Sequence, residues 1–300
     1  MEVKEYESGK FKAKYVSPEK AARHVELFPE LNKTNKDTSP LFVVHGYNTQ
    51  PAEHLSNISN KWQRFTDAGL TYYPVPVLWP CDDLGDYFTD QGSLSQSAGE
   101  DLRAFVDAIP NDLFPRKSLL MHSMGNHVVF NGACGVKDKA GNVIDKAPDV
   151  EFENIFLAAA DLPYDIFWEN PYEYPWYDTK QKLYGEKKQK ATNFFKMLKV
   201  DESGKPMGKI YVIYYGSDLA LQASSSPLAN NETRIGSVGH KKDGEGREGK
   251  VRTDLKDYIE DYSVSDSWFT GDDDAFKHSY QLEPAAIKFY FSKDVRKSEE

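Results

Sequence analysis

Three hundred residues, of which 39% are apolar, 28% charged and 13% aromatic, describe a globular chain too rich in aromatics for acidic disorder. Lys and Arg number 37 against 47 Asp and Glu, a net charge of −10, which speaks against the basic face of a nucleic-acid binder and against attraction to an anionic membrane. Two cysteines, Cys81 and Cys134, give no disulfide scaffold, and no run approaches the roughly 18 apolar residues of a membrane span.

Met1 to Tyr6 lacks the apolar core of a signal peptide, so a reduced, cytoplasmic location is expected. Residues 1–39 form a polar N-terminal extension with one predicted strand, Phe11 to Val16, and one short helix. The pattern then changes. Leu41 to His45 is a continuous apolar run, as expected of a strand buried on both faces. Leu55, Ile58, Trp62 and Phe65 recur at helical spacing within 52–69, with Gly69 as the stop. Val75 to Trp79 is a second buried strand, closed by Pro80. A helix over Ser93 to Ile109 carries Leu102, Phe105, Val106 and Ile109 on one face. Ser118 to Met121 is a third strand, followed by a helix from Asn126 to Ala133. Asn154 to Ala160 and Lys209 to Tyr215 are the fourth and fifth strands, and Pro284 to Phe291 is the last helical stretch.

Short buried strands alternating with helices predict an α/β fold with a mostly parallel central sheet covered by helices on both faces. Residues 40–300 read as one domain bearing two inserts. One, at about 163–207, opens with an aromatic run from Pro163 to Tyr177 and is expected to form a lid or pocket wall; the alternative is that its aromatics complete the core. The other, at about 236–254, is a charged, Gly-rich loop expected to be mobile.

In such a sheet, sites lie beyond the carboxyl ends of the strands. A serine nucleophile needs a base, a carboxylate to orient it, and N–H donors for the oxyanion. Ser123, between strand and helix, sits in the register of a G-x-S-x-G elbow, with Met121 in place of the first glycine and Gly125 as the second. A methionine there demands extra room nearby. Asp218 and His278 complete the order Ser, Asp, His. Asp161, which also ends a strand, is the rival acid. The backbone N–H groups of Tyr47 and Met124 are the expected oxyanion donors. His45, Gly46, His122 and Gly125 flank the site as supporting residues, and His240 reads as a solvated loop histidine.

The stretches FVVHGYN (42–48), VLWPCDDLGDYFTD (77–90), LLMHSMGNHVV (119–129), IFLAAAD (155–161), YVIYYGSDLALQAS (211–224), RIG (234–236) and HSY (278–280) resemble, in order, a bacterial α/β-hydrolase group called domain of unknown function 900. The resemblance spans about residues 40 to 290. It implies the α/β-hydrolase fold and a serine hydrolase, most simply a carboxylic ester hydrolase working through an acyl-enzyme without metal or organic cofactor. A small ester or acyl compound is then the expected partner. A thioesterase, amidase or acyltransferase keeps the fold and changes the reaction. A non-catalytic scaffold that kept the fold is the reading from another class.

Three other patterns carry no site. Gly244 to Lys250 matches part of a P-loop, but Val251 holds the Ser/Thr position and no apolar strand precedes it. Asp272 to Asp274 lacks the alternating ligands of a calcium loop. Asn32, Asn57 and Asn231 fit a glycosylation acceptor, which means little without a secretory signal.

Overall fold

A strand whose odd and even side chains are both apolar must be covered on both faces, and the central strands obey this. Phe42, Val44, Leu119, Met121, Ile155, Leu157, Ile210 and Val212 enter one core, and Leu41, Val43, Leu120, Phe156, Ala158, Tyr211 and Ile213 enter the other. The structure is a computed structural model that describes residues 2–7, 10–14, 39–49, 54–58, 61, 72–81, 94–107, 116–149, 151–169, 180–225, 233–241, 250–269 and 277–293.

β1 (Glu2–Glu7) and β2 (Lys10–Lys14) form an antiparallel pair in the N-terminal extension, where one strand was expected. The expected short helix lies outside the described residues. The central sheet contains β3 (Ser39–Val44), β4 (Tyr72–Val77), β5 (Ser118–His122), β6 (Asn154–Ala158), β7 (Lys209–Tyr214) and β8 (Ile259–Ser263). Their order is β4-β3-β5-β6-β7-β8, and every pairing is parallel. This is the α/β-hydrolase type of sheet. The strand order reverses between β3 and β5, which opens a crevice at their carboxyl ends.

β8 was not predicted, and the physical reason is its place at the sheet's edge. Only Ile259 enters the core; Glu260 pairs with Lys209 and Lys293, and Asp261 pairs with His240. A strand that satisfies charges on both faces leaves no apolar run to read.

One core is closed by helix α1 (Ser95–Asp107), by the helix that follows β5, and by α3 (Lys180–Phe195). The helix after β5 starts as one α turn, α2 (Gly125–His127), and widens to a π-helix over Val128–Ala133. The other core is closed by α6 (Pro284–Ser292), with Leu221 from α4 (Leu219–Ser224). A short helix, α5 (Ile235–Val238), runs past the ends of β6 and β7. Residues 54–58 are helical as predicted, while Trp62, Phe65 and Gly69 lie outside the described residues. Among the described residues no helix is long and apolar enough to cross a membrane.

The aromatic insert starts in the core. Tyr164, Ile166, Phe167 and Trp168 are all buried in the cluster closed by α1 and α3. Residues 170–179, the rest of that aromatic run, lie outside the described residues, as do 242–249 of the charged loop.

α1 and the π-helix meet backbone to backbone. A methyl on Gly99 would stand 2.0 Å from the Val128 carbonyl oxygen, and one on Gly132 would stand 2.4 Å from Gly99 Cα. Gly99→Ala is therefore expected to destabilise the protein by about 2 kcal/mol or more, read as a lower urea midpoint. Gly204→Ala, where a methyl meets nothing within 4 Å, leaves the contacts intact and changes stability only through its φ of 79°.

Candidate active site

The sheet's carboxyl edge carries the strained backbone. Among the described residues the non-glycine positions with positive φ are Asn48 (54°), Ser123 (52°), Ala159 (46°) and Lys277 (50°). Asn48 follows β3, Ser123 follows β5, Ala159 follows β6, and Lys277 precedes His278. Such conformations cost on the order of 1 kcal/mol or more each and persist only where surrounding contacts enforce them.

At Ser123 the enforcement is explicit. Its N–H donates to Ala158 O (3.0 Å), which ties the turn to the end of β6. Its carbonyl accepts from the Asn126 N–H (3.1 Å), the Asn126 side-chain amide (2.9 Å) and the Asp161 N–H (3.3 Å). The same Asn126 amide reaches Met121 O at 3.3 Å. Asn126 is fully buried and clamps the turn from inside, a role no residue pattern signals. Met121 is fully buried in the core shared with the π-helix, and Ser123 beside it holds a φ of 52°.

Small residues bring the neighbouring loop onto this turn. A methyl on Gly46 would stand 2.8 Å from Ser123 Cβ, and one on Gly125 would stand 2.4 Å from His45 O. The loop after β3 is itself fixed by His45. Its Nδ1 lies 2.9 Å from Gly46 O, and its Nε2 accepts the Trp79 N–H at 3.2 Å. Only the neutral Nδ1–H tautomer satisfies both. Trp79 stacks on the ring and donates its indole N–H to His45 O at 2.8 Å. With the Gly46 carbonyl held by the imidazole, the trans peptide turns the Tyr47 N–H the other way. Met124 occupies the N-cap position of α2, where first-turn N–H groups lack intrahelical partners.

The two acid candidates separate completely. Asp218 is fully buried at the N-cap of α4; its Oδ1 accepts the Leu221 N–H (3.0 Å) and its Oδ2 lies 2.7 Å from His278 Nδ1. Asp161 is engaged elsewhere. Its Oδ1 meets Arg234 Nε (3.1 Å) and the Ser224 hydroxyl (3.0 Å), and its Oδ2 lies 3.6 Å from His127 Nε2. Arg234 also donates to Ser224 O at 3.0 Å. Arg234 brings α5 to the end of β6, where a methyl on Gly236 would stand 2.3 Å from Ala160 N.

His278 is held from several directions. Tyr280, fully buried, accepts the Ala159 N–H and donates to Ile213 O, each at 2.8 Å. Lys277 pairs with Asp266 at 2.7 Å. His122 Nε2 lies 3.1 Å from His278 O. His240, expected in solvent, is instead fully buried against Asp261, with Nδ1 at 2.6 Å from the carboxylate. Its Gly- and Lys-rich surroundings hid a partner that lies 21 residues away. Both cysteines are buried and neither forms a disulfide. Among the described residues no group of three or more His, Cys, Asp or Glu could hold a metal ion.

Burial lowers His45 and His54 from 6.5 to about 4, and it holds His122 well below 6.5, with the neighbouring His278 adding to the effect. Below pH 6.5 the unfolded chain takes up protons that these buried rings refuse, so stability should fall as pH drops from about 6.5 towards 4. The limit for His45 and for His54 is roughly 3 kcal/mol each. Thermal melts from pH 4 to 7 measure the slope; a flat Tm profile would show that the rings do not stay neutral.

The family model described as an alpha/beta hydrolase of unknown function (DUF900) matches residues 19–293. A search of curated proteins returns no match. With the match covering nearly the whole chain and the parallel sheet in agreement, the protein belongs to this α/β-hydrolase family.

Proposed function

We propose that the protein is a serine hydrolase that cleaves carboxylic esters through an acyl-enzyme, with residues 40–300 acting as one catalytic domain. The observation that carries this reading is the 2.7 Å contact between the buried Asp218 carboxylate and His278 Nδ1 at the edge where Ser123 adopts its left-handed turn. An Nδ1–H donated to Asp218 leaves His278 Nε2 as the base. It takes the Ser123 hydroxyl proton as Oγ attacks the acyl carbonyl. The N–H groups of Tyr47 and Met124 receive the oxyanion. Collapse expels the alcohol, which takes the proton from His278. Water, deprotonated by the same imidazole, then releases the acid and restores Ser123. Asp218 holds the tautomer and steadies the imidazolium. Two buried cysteines that form no disulfide suit a reducing, cytoplasmic setting.

A fluorophosphonate probe tests the reading first: an adduct on Ser123 is expected, and Ser123→Ala should abolish both labelling and hydrolysis of p-nitrophenyl acetate in a folded protein. Unchanged turnover in that variant would sink the proposal. Thioester and amide substrates in the same assay identify the preferred leaving group.

The two carboxylates should behave oppositely. Asp218→Asn should lower kcat on the order of 10³- to 10⁴-fold with little loss of stability. Asp161→Asn takes a carboxylate away from the buried Arg234, so about 3–5 kcal/mol of stability should go while turnover in the folded fraction survives. The reverse pattern would make Asp161 the acid.

A further inference from the structure

His122 precedes Ser123 directly, at the end of β5. Its side chain is 6% exposed. Nε2 lies 3.1 Å from the backbone carbonyl of His278, and the two imidazole rings are 4.7 Å apart, tilted by 50°. Nδ1 faces the loop after β3, since a methyl on Gly46 would stand 2.9 Å from it. The ring therefore stands among the three loops that bear Ser123, His278 and Tyr47.

His278 has two kinds of support. Asp218 grips its ring and sets the rotation of the imidazole. Nothing in that contact fixes the main chain of residue 278, which follows Lys277 in a strained conformation (φ 50°). A donor on the residue next to Ser123 fixes it directly.

We propose that His122 is a positioning residue that, through an Nε2–H bond to the His278 carbonyl, sets the separation between the Ser123 hydroxyl and the His278 imidazole. The proposal rests on the reading of Ser123 and His278 as nucleophile and base. A carbonyl can only accept, so Nε2 must carry the proton. Burial and the adjacent His278 keep the His122 ring neutral. Neutrality matters because His278 becomes cationic during attack, and a second cation at this distance would oppose it. His122 thus supplies a fixed donor without a competing charge.

The test uses the full chain and fluorophosphonate labelling of Ser123, followed by hydrolysis of p-nitrophenyl acetate. His122→Leu removes the donor; labelling rate and kcat should each fall roughly 10- to 100-fold, with KM unchanged, because a base about 1 Å out of place loses that much. His122→Gln places an amide N–H at similar reach and should restore both to within roughly threefold. If the leucine variant does not fold, His122→Asn, polar but too short for the carbonyl, takes its place. In ¹⁵N-histidine spectra of the wild type, His122 should show a protonated Nε2 and a bare Nδ1 from about pH 5.5 to 8. Wild-type labelling rates in a folded His122→Leu protein, a glutamine variant no better than leucine, or a bare Nε2 would each overturn the proposal. A wild type that takes no label at all refutes the hydrolase reading instead, and the ¹⁵N signature then still reports whether the His122 bond exists.

Discussion

The carboxylate of Asp218 has no access to water, and much of the candidate site is arranged around that fact. A buried ion carries a desolvation penalty of several kcal/mol unless donors surround it. Here the donors come from two directions: the Leu221 N–H at the start of α4 and the His278 imidazole. The first fixes the carboxylate on its own helix. The second draws in a loop from 60 residues away, so the pair also closes the sheet edge. The Tyr280 hydroxyl, bonded to the ends of β6 and β7, keeps that loop from retreating.

The same edge collects the strained backbone and several close glycine contacts, and the two are related. Ser123 holds its left-handed turn between β3 and β6: β6 ties it through Ala158 O, and the chain after β3 approaches it where Gly46 and Gly125 leave no side chain between. The π-helix after the elbow belongs to the same set of constraints. The chain there must leave a strand, make a strained turn, and still pass within a methyl's width of α1 at Gly132.

The β3, β5, β6 and β7 strands were legible because burial on both faces forces a continuous apolar run. β8 was illegible for the opposite reason: its Glu260 and Asp261 are there to pair with Lys209, Lys293 and His240. The candidate residues stood out because a parallel sheet puts its chemistry after its strands, and Ser123, Asp218 and His278 each follow that rule or its chain order. The same rule could not separate Asp218 from Asp161, since both end strands. What distinguishes their surroundings is Arg234, from a third segment, whose guanidinium meets Asp161, while Asp218 faces His278. Asn126, His122 and Tyr280 were visible as letters of a resemblance, but their hydrogen bonds join backbone atoms far apart in the chain, and no residue pattern encodes those.

The six residues of α4 join these two carboxylates. Asp218 caps the start of the helix, and Ser224, at its end, donates to Asp161. One rigid turn and a half therefore connects the charge facing His278 with the charge facing Arg234. In evolutionary terms the two sites are tied. A lineage that lost the Asp161–Arg234 pair would therefore lose stability first, while the Leu221 N–H and His278 still hold Asp218 at the other end of the strut.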